Sequence, residues 1–282
     1  MRINALFYGG CQVDGILQML NLSDDYNASW IRCKITDLGK ESFTKIVSEC
    51  DIIITHSIDD NFRSVDYLST SYIIRHKKPE CKVIIIDVCR FNFYYFDAFH
   101  DYLFRTPTPY HYRKMVECFK QGHSVEYYIN NFVNNIELKT SDELELIAED
   151  SLKELYKRYK RSKVLYEQDN VYIITIHDYI KQNYKNKLLF YSTNHPTKHV
   201  FQNICNKIIN ILQIPNTINY SIDPLLLPKC IIYKCISKNV TFEINNLYPQ
   251  IGEFSDVTKV TQLYYDAYTE SVLLEKCLPV RP

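Results

Sequence analysis

Two unbroken β-branched runs, Asp51-Ile-Ile-Ile-Thr55 and Lys82-Val-Ile-Ile-Ile-Asp87, constrain this chain most. A strand that is apolar at every position has to be covered on both faces, as strands of a parallel sheet between helices are. The segments around these runs alternate between strand and helix patterns. Arg2–Tyr8 reads as a first strand, and a helix follows from Cys11, with Val13, Ile16, Leu17 and Leu20 on one face. Another apolar stretch lies near 29–35, and helical spacing recurs at 42–48 and 68–74. Such alternation implies βαβ units. The expected fold class is α/β: a three-layer α/β/α sandwich on a mainly parallel sheet, with a helical insertion and a C-terminal elaboration.

The insertion begins at 91–112, which is dense in aromatic residues and carries Pro107 and Pro109. We read it as a long ordered excursion packed against the sheet. Thr140-x-x-Glu143 matches a capping box, and Leu144, Ile147, Ala148, Leu152, Leu155 and Tyr159 form the stripe of a long helix. Leu188–Ser192 predicts another strand. Pro196 then predicts the opening of a helix, because proline is favourable at a first helical position, and this puts His195 at the cap. Residues 231–236 and 240–244 suggest a hairpin, and 257–274 a helix. Without a linker, repeat or low-complexity segment, residues 1–212 are expected to form one α/β domain, with 213–282 packed on it.

Thirty-three basic residues balance thirty-three acidic ones, which argues against a protein that wraps nucleic acid. No run approaches the roughly 20 apolar residues of a membrane helix. The first residues read as a strand rather than a leader. The ten cysteines contain no C-x-x-C pair, so a zinc ribbon is not indicated and no metal site is expected. They read as reduced, mostly buried thiols in a cytoplasmic protein. The 24 tyrosines and 14 phenylalanines accompany an excess of Asn, Ile and Lys, a bias of composition rather than a glycan-binding signature.

Chemistry concentrates at Leu6-Phe-Tyr-Gly-Gly-Cys-Gln12. Gly9 and Gly10 allow a tight turn and close approach of a ligand, and Cys11 opens a helix, where the dipole favours a thiolate. The same turn suits a phosphate cradle or a small residue closing a bend, and all three readings stay open. A tyrosine-phosphatase loop is excluded, because Leu17 stands where its arginine is required. A dinucleotide fingerprint is excluded because Gly9, Gly10 and Gly15 have the wrong spacing. His195 suits a general base at a strand-to-helix turn, or a simple cap. The loop from His56 through Ser57 to Asn61 would share the same sheet edge and could serve an oxyanion, with Arg63 beyond it able to meet a phosphate. The basic run 153–163 reads first as a solvated helix end, and His177-Asp178 as a hydrogen-bonded pair without an assigned role.

Several blocks resemble the WcbI-type capsular-polysaccharide biosynthesis family. Gly9-Gly-Cys-Gln12 is similar to its G-N-C-Q opening, and Ile53-Ile-Thr55 with the loop after it to a second block. Phe91-x-Phe93-Tyr-Tyr-Phe96, Tyr110-His111 and Gly122-His-Ser124 follow the order of its aromatic middle. Glu154-Leu-x-x-Arg158 resembles its long-helix block and Asn194-His-Pro-Thr197 its N-H-P block. The likeness spans about 3–212. It implies an SGNH-hydrolase-like fold, binding of coenzyme A, and acetyl transfer to a sugar of a surface polysaccharide. It matches Cys11, Gln12 and His195 to the family's cysteine, glutamine and histidine. Cys11 and His195 are accordingly the catalytic candidates, and Gly9, Gly10, Gln12, Ser57, Arg63, Asn194 and Lys198 are our candidate cofactor contacts. A hydrolase of acylated glycans and a non-catalytic glycan-binding protein are the alternatives. The chain departs from the family at Gly10, where Asn is usual, and at Tyr112, which replaces an aspartate.

Overall fold

The computed structural model describes residues 2–33, 38–101, 106–215, 218–226, 230–246 and 256–273. In chain order the elements begin with β1 (Ile3–Gly9), α1 (Cys11–Met19), β2 (Tyr26–Arg32), α2 (Lys40–Glu49), β3 (Ile52–His56), α3 (Thr70–His76) and β4 (Lys82–Ile86). Then come β5 (Ala98–His100), β6 (Tyr110–Tyr112), α4 (Arg113–Lys120), α5 (Val125–Tyr128), α6 (Ser141–Tyr166), β7 (Val171–Ile174) and α7 (His177–Asn183). The last are β8 (Phe190–Ser192), β9 (His195–Pro196), α8 (Lys198–Leu212) and α9 (Val257–Leu273).

Two compact units emerge. The first comprises Met1–Arg90, Leu152–Asn183 and Asn194–Leu225, and the second Phe91–Ser151, Tyr184–Thr193 and Leu226–Pro282. The first holds a five-stranded sheet in the order β2-β1-β3-β4-β7. All four pairings are parallel. The α/β expectation therefore holds, and the two β-branched runs are the central strands β3 and β4. On one face Leu6, Tyr8, Ile53, Val83 and Ile85 pack with Phe43 and Val47 of α2 and Tyr72 and Ile73 of α3. The alternate residues, among them Phe7, Ile54 and Ile84, are equally buried and point to the other face. There α1 and α8 pack on each other, each contributing a buried apolar stripe.

The second unit carries the antiparallel pair β5–β6, α4, α5 and α9. The capping box forms as its sequence predicts. The Thr140 N–H donates to Glu143 Oε2 at 2.8 Å, and the Glu143 N–H to Thr140 Oγ1 at 3.2 Å. The hairpin expected at 231–244 does not form. The backbone groups that would build its ladder are taken by side chains: the Ile232 N–H and C=O both bond the Asn246 carboxamide, at 3.0 Å each. The chain turns instead through a short 3-10 segment, Lys234–Lys238.

Candidate functional site

In this strand order, the chain leaves β1 toward β2 on one side, while β3 lies on the other. The carboxyl ends of β1 and β3 therefore flank a topological switch point, where open α/β sheets bind ligands. Cys11 follows β1 and Ser57 follows β3. Gly10 caps α1 in extended geometry, φ −86° and ψ −165°, without a side chain to accept a first-turn N–H. Cys11 is the first helical residue, and its side chain is exposed; the other eight cysteines of the described residues are buried.

Gly9 is required by its surroundings. A Cβ there would lie 2.6 Å from Val13 Cγ2 and 3.2 Å from His56 Nδ1. At Gly10 the nearest atom to such a Cβ is His56 Cε1 at 4.0 Å, so a side chain has room. His56 is not the start of a polar loop, as the pattern suggested. It is the last residue of β3, only 6% exposed, with its ring against the glycine turn. Burial lowers its pKa to about 4, so the ring is neutral, and its Nε2 has no partner among the described residues.

Gln12 is the organising side chain. Its Nε2 donates to the Cys89 carbonyl at 2.9 Å and to the Asn194 carbonyl at 2.6 Å, and its Oε1 accepts the Cys89 N–H at 2.9 Å. The loop after β4 and the segment entering β9 are thus tied to the residue beside the exposed thiol. Cys89 is itself buried, and desolvation pushes its thiol up.

His195 is half-buried and adjoins the tethered Asn194, but not as the proline predicted. Helix α8 begins at Lys198, with Thr197 as its cap, and Pro196 stays in the short strand β9. Neither β8 nor β9 belongs to the parallel sheet. His195 therefore stands two residues before the cap, and Asn194 rather than the helix end brings it near Gln12. The Lys198 N–H donates to Asp223 Oδ1 at 3.1 Å, so an aspartate occupies the place an anion would take. Arg63 is exposed in a left-handed backbone run with Asn61 and Ser64, their φ values 56°, 63° and 62°.

Beside Ser57 a cleft of about 280 Å³ opens at the ends of β3 and β4. Asp87 and Val88 line it from just past β4, and Lys157, Arg158, Arg161 and Ser162 from α6. Sequence reading gave Asp87 no role; its place at the end of the clearest buried strand was the available signal. Arg161 pairs with Asp59 at 2.7 Å and Arg158 with Glu154 at 2.9 Å. Among the described residues, no three His, Cys, Asp or Glu side chains gather as metal ligands would.

An α/β protein with an exposed thiol at a helix start beside its switch point is the class these features define. The family model of the polysaccharide biosynthesis enzyme WcbI matches residues 4–217, and the chain belongs to that family. A solved structure of WcbI, called a novel polysaccharide biosynthesis enzyme, superposes with a TM-score of 0.80. It is 18% identical and the match covers 96% of this chain and 91% of that one. It is described as native protein without a disulfide bond between coenzyme A and a cysteine. No curated protein matches. The likeness to the solved structure establishes the fold.

Proposed function

We propose that the chain transfers an acyl group, acetyl in the simplest case, from coenzyme A to a sugar hydroxyl in surface-polysaccharide biosynthesis. The observation that carries this reading is the exposure of Cys11 at the start of α1, tied through Gln12 to the segment bearing His195. The fit to coenzyme A rests on the half-buried Gly10, where there is room beside the turn, and on an exposed thiol able to meet the sulfur end of that donor. A solved relative is described in terms of coenzyme A and a cysteine, which points the same way.

Coenzyme A supplies an acyl group activated as a thioester. His195 is the base: it takes the proton of the sugar hydroxyl as that oxygen attacks the acyl carbonyl. The tetrahedral oxyanion is met by backbone N–H groups of the first turn of α1 and of the Ser57 loop, and its collapse expels the thiolate, which recovers the proton from His195. Cys11 either lines this path or takes the acyl group first, as a thioester on its own Sγ. Gly9, Gly10, Ser57, Arg63, Asn194 and Lys198 contact the donor, while Gln12 holds the loops around it. Cytoplasm, where thiols stay reduced, is the compartment proposed. Among the described residues no helix is long and apolar enough to cross a membrane.

Intact-mass analysis of the protein as purified, under native conditions, tests the donor. Bound coenzyme A is the expected result, and its absence together with no calorimetric binding would remove the reading. With an acyl-coenzyme A supplied, Cys11→Ala separates the two roles of the thiol. Full transfer by that variant eliminates the covalent route, and full transfer by His195→Ala eliminates the base.

A further inference from the structure

We infer that the cleft between Asp87 and α6 is the acceptor subsite, built for a neutral sugar ring whose hydroxyl bonds Asp87. This rests on the transferase reading for its biological sense, but the cleft argues for its ligand on its own terms.

Asp87 is 6% exposed. Its Oδ1 accepts from Ser162 Oγ at 2.7 Å, and Ser162 is 2% exposed. The other oxygen, Oδ2, is buried and has no partner among the described residues. A buried carboxyl oxygen left unpaired is costly, so a ligand that completes it gains what the empty protein forgoes. Burial also raises the pKa of this carboxyl. A hydroxyl suits it in either state, donating to a carboxylate or accepting from a carboxylic acid.

The charges decide between a sugar and a phosphate. Three cations line the cleft, Lys157, Arg158 and Arg161, together with three acidic residues, Asp59, Asp87 and Glu154. Two of the cations are already in ion pairs. A phosphate site needs an excess of donors and positive charge. Here donors and acceptors are balanced in number, which suits a ring of hydroxyls. Val88, 36% exposed, gives an apolar patch for the C–H face of a ring. The volume, about 280 Å³, lies at the small end for ligand sites, near ~300 Å³. It suits one sugar unit rather than a whole nucleotide.

The position fits transfer. Asp87 and Val88 run directly into Cys89, whose N–H and C=O are both held by Gln12. The wall of the cleft is therefore continuous with the segment clamped beside Cys11.

Saturation-transfer NMR on the full chain reads this directly, with the methyl glycosides of mannose, glucose and galactose as probes. Transfer to the ring protons of at least one glycoside is expected. It should fall several-fold in Asp87→Asn and in Arg158→Met, the second a change on the outer wall that leaves the buried Asp87–Ser162 pair intact. Silence from all three glycosides, or signals unchanged in both variants, overturns the assignment. So does displacement of a bound glycoside by inorganic phosphate at equal concentration, which would make this an anion site. Coenzyme A titrated calorimetrically on the same proteins reads the donor separately. A chain that binds a glycoside here but no coenzyme A would keep the cleft and lose the transferase reading.

Discussion

His56 makes the stability of the first unit depend on acid in a way that can be calculated. Burial against the Gly9–Gly10 turn lowers its pKa from 6.5 to about 4. Because the folded value lies below the unfolded one, the unfolded chain binds the extra proton between them. The neutral ring's contribution is complete above the unfolded value of 6.5 and is lost as pH falls through about 4. The gap corresponds to about 3 kcal/mol. His111, in the second unit, is lowered to about 4 by its own burial and acts with the same sign. Asp87 and Asp97 are raised by desolvation and act oppositely, gaining stability as pH falls. The wild-type curve alone therefore mixes these groups, but His56→Gln leaves the other three in place. Urea unfolding of both proteins from about pH 7 to about pH 4 should show the wild type losing about 3 kcal/mol more than the variant, most of it below the ordinary histidine range. Parallel curves would refute the argument, because they would mean that His56 is as easily protonated in the folded chain as in the unfolded one.

Gly10→Asn restores the residue usual in the family at a position with room for it. It adds an N-cap acceptor, so thermal melting should show a gain of a few tenths to about 1 kcal/mol; a loss would mean the turn needs glycine itself. Gln12→Leu strands the Cys89 N–H and the carbonyls of Cys89 and Asn194, and unfolding should report a loss of about 3 kcal/mol. In the same variant, alkylation of Cys11 by iodoacetamide should change rate, because the loops beside it are released. Thr140→Ala removes the acceptor for the Glu143 N–H and should cost about 1 kcal/mol by thermal melting; no change would show that the capping box is idle.

The sheet was legible because its two central strands carry the unbroken runs Ile52–Ile54 and Val83–Ile86, which a parallel sheet covered on both faces buries. The glycine turn and Cys11 were legible because a strand, two glycines and a periodic helix leave little freedom between them. His56 was misread for a physical reason. Polar residues after an apolar run signal a loop, yet His56 continues β3 past Thr55 and is buried, with the Thr70 hydroxyl donating to its carbonyl at 2.9 Å. Pro196 misled in the same manner: its fixed φ suits a helix start, but it suits an extended segment equally, and Thr197 takes the cap. The Asn246 pairing that displaces the expected hairpin depends on a side chain brought in from outside the two strand-like runs, which local periodicity cannot register.

The site also shows why its two candidate catalytic residues could not be related by local pattern alone. Cys11 is placed by the helix that it opens, whereas His195 lies outside any helix and outside the parallel sheet. The Gln12 carboxamide joins their neighbourhoods, reaching the carbonyl of the residue before His195 from the residue after Cys11. A carboxamide has two N–H donors and one carbonyl, and here both donors and the carbonyl are engaged by main-chain groups. A glutamate at this position would repel both carbonyls, and a shorter asparagine would have to give up at least one. The hold of the helix start on the segment before His195 therefore depends on the length and polarity of this side chain. That makes Gln12 the residue whose substitution should disturb the chemistry without touching a reacting atom.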